Sequence, residues 1–270
     1  MTSSFDTIAH KYDETFTFTQ TGKYQRERVW NYLDKLNLNN KDVSALEINC
    51  GTGEDAVYLA SRFQSVVATD LSSEMIRIAT EKSKEKKIST IDFLVADMLE
   101  IRKKLPDRKF DMIFSNFGGL NCLSDDQVQN LSSELKSLSN SDGNLILVIM
   151  GRKCLWEKIY FILKGKTSSI NRRKIRSGVN ANVGTTYQKT YYYSPKEIQN
   201  HFSESWNFMR VIPIGLFLPP SYLDPFFSKH LWLLKLLRSA EKIFGRFSFC
   251  ADYADHYLIH FTRKEIMNGK

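Results

Sequence analysis

Ala45-Leu46-Glu47-Ile48-Asn49-Cys50-Gly51-Thr52-Gly53 passes from an apolar run directly into a segment of helical character. Glycines at 51 and 53 let the backbone turn tightly and come close to a ligand, since no Cβ intervenes. Counting this first run at 43–49, five short apolar runs recur, the others at 65–70, 91–97, 110–116 and 143–151. They are nearly continuous in Val, Ile, Leu, Phe and Met, as strands covered on both faces should be. Amphipathic segments at 54–62, 72–86 and 124–138 separate several of them. Ser72 and Ser124 read as helix caps, followed by inward stripes at Met75 and Ile76, and at Val128 and Leu131. Strands alternating with helices predict an α/β fold with a parallel sheet and right-handed crossovers.

Outward from that core the pattern changes. Two helix-like stretches, 2–14 and 22–36, precede the first strand. Beyond Gly151 a helix is expected over 155–163, then a basic stretch, then the Tyr-rich run 187–193. Ser194-Pro195-Lys196-Glu197 has the capping-box spacing with Pro at the first helical position, so a helix through Phe202 follows. Segments 206–214 and 255–262 read as two last strands, with Pro219-Pro220 and an apolar, basic helix over 226–244 between them. No repeat or linker cuts the chain. The expected division is N-terminal helices over a ligand site (1–40), a ligand-binding core (41–151), and remaining strands with cap insertions (152–270, the caps at about 152–193 and 219–247).

Composition fits this outline. The 270 residues are 42% hydrophobic and 25% charged, ordinary values for a globular protein. No apolar run approaches the roughly 20 residues of a membrane span. The N-terminus lacks the basic-then-apolar order of a signal peptide, so a cytoplasmic location is expected. Cys50, Cys122, Cys154 and Cys250 are scattered without a CxxC pair, which predicts inert thiols and no metal site. The net charge of +8 is concentrated in 164–176 and 229–246.

Polar residues stand at successive strand ends: Asp70, Asp97 followed by Met98, and Asn116 followed by Phe117. In open parallel sheets, ligands sit at such ends where the strand order reverses. The two glycines alone would suit NAD as well as S-adenosylmethionine. A dinucleotide fingerprint, however, wants a third glycine where Ala56 stands, and Glu54 and Asp55 before it would repel a diphosphate. Asp70 can accept both hydroxyls of a ribose, and Asp97 with Met98 suits an adenine.

Glu47–Gly53 resembles the E-x-G-C-G-T-G glycine motif of class I methyltransferases. Val67-Ala68-Thr69-Asp70-Leu71-Ser72 with Met75 resembles their second motif, and Val95-Ala96-Asp97 their third. Phe5-Asp6 through Tyr12-Asp13 is similar to the N-terminal signature of ubiquinone-biosynthesis-type and biotin-pathway-type members. The resemblance covers about residues 5–151. It implies a seven-stranded Rossmann-like sheet, mostly parallel with the last strand antiparallel, helices on both faces, and S-adenosylmethionine as cofactor. It further implies cofactor contacts from Tyr12, Glu47, Gly51, Gly53, Asp70, Asp97, Met98 and Asn116; Asn49, Cys50, Leu71, Met75 and Phe117, beside them in the sequence or its motifs, are expected at the same site. Arg28 is a further candidate for the cofactor carboxylate. Asn49 departs from the pattern, standing where the family usually has glycine; its side chain narrows the loop or donates to that carboxylate. Ser115–Cys122, Met150-Gly151-Arg152 with Trp156-Glu157, and Asp255-His256-Tyr257 look like a bacterial small-molecule subgroup.

The expected reaction is therefore methyl transfer to an O or N atom, or to carbon, of a small molecule whose identity the sequence leaves open. His256 is the candidate base, because imidazole titrates near neutrality. Asn121, Arg152, Trp156 and Tyr193 are candidates for the acceptor pocket. The 226–244 helix is expected as a lid, with a peripheral membrane contact as its alternative. Rival functions are an RNA or DNA methyltransferase, a non-catalytic cofactor-binding scaffold, and an NAD enzyme. Against nucleic acid, Asn116-Phe117-Gly118-Gly119 replaces the [DN]-P-P-[YF] motif of adenine N6 enzymes. Cys122 also lacks the preceding proline of cytosine C5 enzymes.

Overall fold

The computed structural model describes residues 3–36, 38 and 43–265. Its main sheet has seven strands: β1 (Ser44–Ile48), β2 (Ser65–Asp70), β3 (Ile91–Val95), β4 (Phe110–Ser115), β5 (Ser139–Met150), β8 (Trp206–Ile214) and β9 (His256–Arg263). A separate hairpin pairs β6 (Val179–Val183) with β7 (Thr186–Thr190). The sheet order is β3-β2-β1-β4-β5-β9-β8. β9 runs antiparallel to both of its neighbours, and the other pairs are parallel. The expected α/β sheet, with its last strand reversed, is what forms.

Each face of the sheet carries its own core. On one, Leu46, Ile48, Ile113, Leu145 and Leu147 pack under α6 (Asp125–Ser137) and α8 (Pro195–Phe202). On the other, Ala45, Phe114, Ile146 and Val148 pack under α2 (Gln20–Asp34) and α3 (Glu54–Ala60). Both faces of β1, β4 and β5 are thus covered, which is why runs such as Met112–Phe114 and Leu145–Met150 are apolar throughout. α4 (Ser73–Glu85) starts at Ser72, whose hydroxyl accepts the Met75 N–H at 3.1 Å. A single helical turn, α5 (Ile101–Lys104), precedes β4, and the Ser194–Glu197 capping box opens α8 as expected.

Several expected boundaries differ. The first helix was expected from Thr2, which lies outside the described residues. Residues 3–8 form turns, and helix begins only at α1 (Ala9–Tyr12), widening into a π-turn over Asp13–Thr17. α2 starts two residues before Gly22, because the Thr19 hydroxyl accepts the Gly22 N–H and caps it. β5 reaches back to Ser139 through a register irregularity opposite Phe110 and Met112. The single helix expected over 226–244 breaks at Ser228–His230, giving α9 (Asp224–Phe227) and α10 (Leu231–Phe244).

Candidate functional site

The sheet order reverses between β1 and β4, and a cleft of about 420 Å³ opens at the carboxyl ends of these strands and of β2 and β3. That volume lies within the usual range for small-molecule sites. Its walls include Tyr12, Asn49, Gly51, Asp70, Leu71, Met75, Asp97, Met98, Asn116 and Phe117. These are ten of the residues expected to hold the cofactor.

The loop after β1 is built for close approach. Gly51 has φ +54°, and a Cβ there would meet only the Tyr12 ring, at 3.8 Å. Gly51 donates its N–H to Asp70 Oδ2 at 2.9 Å, and Ser72 donates its N–H to Asp70 Oδ1 at 2.9 Å. Burial raises the Asp70 carboxyl above its ordinary value, opposed by those two N–H groups. A carboxylate has about four acceptor positions, so two remain for ligand hydroxyls. Asp97 spends Oδ1 on the Leu99 N–H at 2.9 Å and faces the same cleft. Tyr12 is pushed up to about 12 by burial, against the pull of Arg26, so its phenol stays protonated.

Asn49 answers the question its position raised. Its backbone is left-handed, φ +54°, a conformation in which Asn is the best-tolerated residue after Gly. Its side chain turns towards β4, where Nδ2 donates to the Asn116 carbonyl at 3.0 Å and Oδ1 accepts the Ser115 hydroxyl at 2.6 Å. The amide therefore staples two strand ends and is spent there.

Other expected contacts are corrected. Arg28 lies away from the cleft: its guanidinium donates to the Pro213 and Gly245 carbonyls and pairs with Glu241, docking α2 on α10. Glu47 is fully buried and lines no wall; burial holds its carboxyl well above the ordinary range, and Oε2 has no partner. Cys50 is buried at a neighbouring recess of about 20 Å³ rather than in the cleft. Gly53 is a packing residue, since a Cβ there would lie 2.8 Å from that of Ala79 on α4.

The acceptor candidates fare less well. Asn121 is buried, bonded through Oδ1 to the Met150 N–H and through Nδ2 to the Met150 and Tyr191 carbonyls. Arg152 is held by both oxygens of Glu197 at 3.0 and 2.9 Å. Tyr193 is a core residue whose hydroxyl donates to the Leu123 carbonyl. Trp156 packs edge-to-face on Phe227 at 5.5 Å, in a separate small core. His256 sits behind Phe117, ring to ring at 5.3 Å, with Nδ1 3.2 Å from Asp255. It is absent from the cleft wall. Asn121, Arg152 and Tyr193 are thus held by polar partners inside the fold, whereas Trp156 is held by apolar packing.

Sequence reading missed two parts of the site. Arg26 is 6% exposed, pairs with Asp55 at 2.9 Å, and lies over the Phe117 ring; its Nε has no partner. Arg26 also lines the small recess, which shares Tyr12, Asn49, Gly51, Asn116 and Phe117 with the cleft. Gln188, on the hairpin, completes the cleft wall and accepts the Ser4 hydroxyl at 2.7 Å. Residues Ser3–Phe5 thereby close the mouth as an arm, fixed also by Ser72 donating to Asp6. The signals were there: Arg26 lies two residues from Arg28, and the alternating run 179–183 is followed by the turn-forming Gly184-Thr185.

One electrostatic expectation also changes. Asp55 accepts from Arg26, Trp30 and Asn116, and Glu54 pairs with Lys82 at 3.2 Å. Their repulsion of a diphosphate is therefore largely neutralised, and the argument against NAD rests on Ala56. Among the described residues no His, Cys, Asp and Glu group is disposed to hold a metal.

Residues 45–143 match the model of a methyltransferase domain. A malonyl-[acyl-carrier protein] O-methyltransferase of Priestia megaterium is 32% identical over 104 residues, 37% of this chain and 36% of that protein. A tRNA/tmRNA (uracil-C(5))-methyltransferase of Nautilia profundicola is 24% identical over 152 residues, 56% of this chain and 40% of that protein. The chain thus spans less than half the length of these relatives. A solved S-adenosylmethionine-dependent methyltransferase from Clostridium acetobutylicum superposes with a TM-score of 0.60 at 13% identity, over 96% of this chain and 99% of that one. Domain match and topology together identify a class I, Rossmann-like methyltransferase fold.

Proposed function

We propose, starting from that fold, that the chain binds S-adenosylmethionine in the β1–β4 cleft and transfers its methyl group to a small-molecule nucleophile. The observation that carries the reading is the Gly51–Asp70 arrangement, a loop without a Cβ at Gly51, bonded there to a carboxylate with acceptor positions to spare. Asp70 would take the ribose hydroxyls, and Asp97 with Met98 the adenine. Arg26, with its unpartnered Nε beside the loop, would take the carboxylate role first sought at Arg28. When bound, the cofactor supplies an electrophilic sulfonium methyl.

What the chain itself contributes is alignment and exclusion of water. In-line displacement needs the nucleophile held on the axis of the breaking bond, and such positioning accounts for much of the rate. The arm Ser3–Phe5 and Gln188 cover the cleft, and Phe117 and Leu123 give it an apolar lining. No imidazole reaches the wall, and Tyr12 and Cys122 are each pushed up to about 12, chiefly by burial. The site therefore favours an acceptor that arrives already nucleophilic, such as a carboxylate or a free amine, over one needing a base. The protonated Cys122 also disfavours thiolate attack on a pyrimidine ring.

An RNA acceptor is the second reading, favoured by the tRNA-directed relative and the positive charge. A transfer assay with carboxylates, amines, phenols and bulk tRNA, scored by S-adenosylhomocysteine and methylated product, separates the two. Turnover of a small acceptor that survives His256→Asn supports the proposal. Turnover of tRNA alone overturns it.

A further inference from the structure

The 226–244 segment was expected as a lid, yet none of it lines the cleft. Instead α7 (Leu155–Leu163), residues 221–227 and α10 enclose one small core of Leu218, Phe227 and Leu234, with Trp156 and Leu237 against it. α10 turns Leu234, Leu237 and Glu241 inward, so positions 232, 235, 236, 239, 242 and 243 face outward. Trp232 is 70% exposed there, Leu236 60% and Ile243 55%. On α7, Trp156 and Tyr160 face in, and Ile159, Ile162 and Leu163 face out, Leu163 at 80%. On α10 itself Trp232, Leu236 and Ile243 share one helix face with Lys235 and Lys242, and exposed apolar side chains gathered this way mark an interaction surface.

The charge on this surface is predominantly positive, with Glu27 of α2 paired to Arg238 on α10. Over 155–193 and 217–250, Lys and Arg outnumber acids thirteen to three. All three acids are buried and occupied within the fold. Glu157 pairs with Arg172 and Arg173, Asp224 accepts the Thr21 N–H, and Glu241 accepts the N–H groups of Gly215 and Phe217. The cations that reach solvent include Lys164, Lys166, Lys229, Lys235, Lys242 and Arg246.

We infer that this face docks on an anionic lipid bilayer, with the apolar side chains at the acyl boundary and the lysines among the headgroups. Trp and Leu flanked by Lys and Arg is the composition of an interfacial helix. A second copy would set the same cations against each other. A nucleic acid would engage the cations and leave Trp232, Leu236 and Ile243 without partners. The inference is independent of the reading of the cleft.

Flotation at low salt with vesicles of phosphatidylcholine plus phosphatidylglycerol, and of phosphatidylcholine alone, tests it without an activity assay. Binding to the anionic vesicles only is expected, with a blue shift of the Trp232 emission. Trp232→Glu/Leu236→Glu and Lys235→Glu/Lys242→Glu should each weaken it at least about tenfold. Both pairs are exposed, so unchanged melting temperatures exclude misfolding as the cause. Absence of flotation overturns the inference. So does tRNA binding that displaces the vesicles and survives Trp232→Glu/Leu236→Glu, or a dimer that this variant dissociates.

Discussion

Asp70 Oδ2 accepts the N–H of Gly51 at 2.9 Å across the ends of β2 and β1. The same carboxylate accepts the Ser72 N–H, so it fixes the glycine loop and the start of α4 together. An amide at this position cannot satisfy both donors, because its nitrogen faces one of them. Asp70→Asn should therefore cost about 1–3 kcal/mol of stability and weaken S-adenosylmethionine at least about tenfold. Denaturant unfolding and cofactor titration check both numbers; unchanged cofactor affinity would remove Asp70 from the site.

Asn49 and Gly119 are in contact at the ends of β1 and β4. A Cβ on Gly119 would lie 2.1 Å from the Asn49 side chain. Gly119→Ala should cost more than about 2 kcal/mol through this overlap. In an Asn49→Gly background the same change should be nearly free, a coupling above about 1 kcal/mol in a double-mutant cycle. Additive effects would show that Asn49 is not pinned by Ser115 and Asn116.

Arg26 and Arg28 should separate by phenotype. Arg26→Lys keeps the charge opposite Asp55 but loses the planar fork, and should weaken the cofactor about tenfold. Arg28→Lys should lower the melting temperature through the α2–α10 contact and leave cofactor affinity unchanged. The reverse pattern, read by calorimetry and thermal melts, would restore Arg28 to the site.

His260 supplies a pH signature. Burial lowers its imidazole from 6.5 to about 4, between the Tyr32 hydroxyl and Asn144 Oδ1, each at 2.9 Å. The unfolded chain then takes up a proton near pH 6.5 that the folded chain refuses. This contribution is complete above that pH and is lost as pH falls towards 4. Full loss amounts to roughly 3 kcal/mol at most. Stability measured from pH 7 to 4 should fall less steeply in His260→Gln; parallel curves would contradict this.

The strands, the crossover helices and the strand-end residues Asp70, Asp97 and Asn116 were legible because they depend on local pattern. Apolar runs, a cap such as Ser72 and a glycine turn each report their own neighbourhood. The acceptor candidates were not legible, because their fate rests on partners far along the chain. Arg152 is claimed by Glu197, Asn121 by Met150 and Tyr191, and Arg28 by Glu241. Arg26 was overlooked for the same reason. Its value comes from Asp55 and Phe117, 29 and 91 positions away. The lid expectation failed because amphipathicity gives a helix an inner face without saying which core it covers.

The most direct test of the central claim is calorimetric titration of the purified protein with S-adenosylmethionine, S-adenosylhomocysteine and NAD. Micromolar binding of the first two, none of NAD, and weakened binding in Asp70→Asn is the predicted result. Binding of NAD alone, or S-adenosylmethionine binding untouched by Asp70→Asn, would contradict the account.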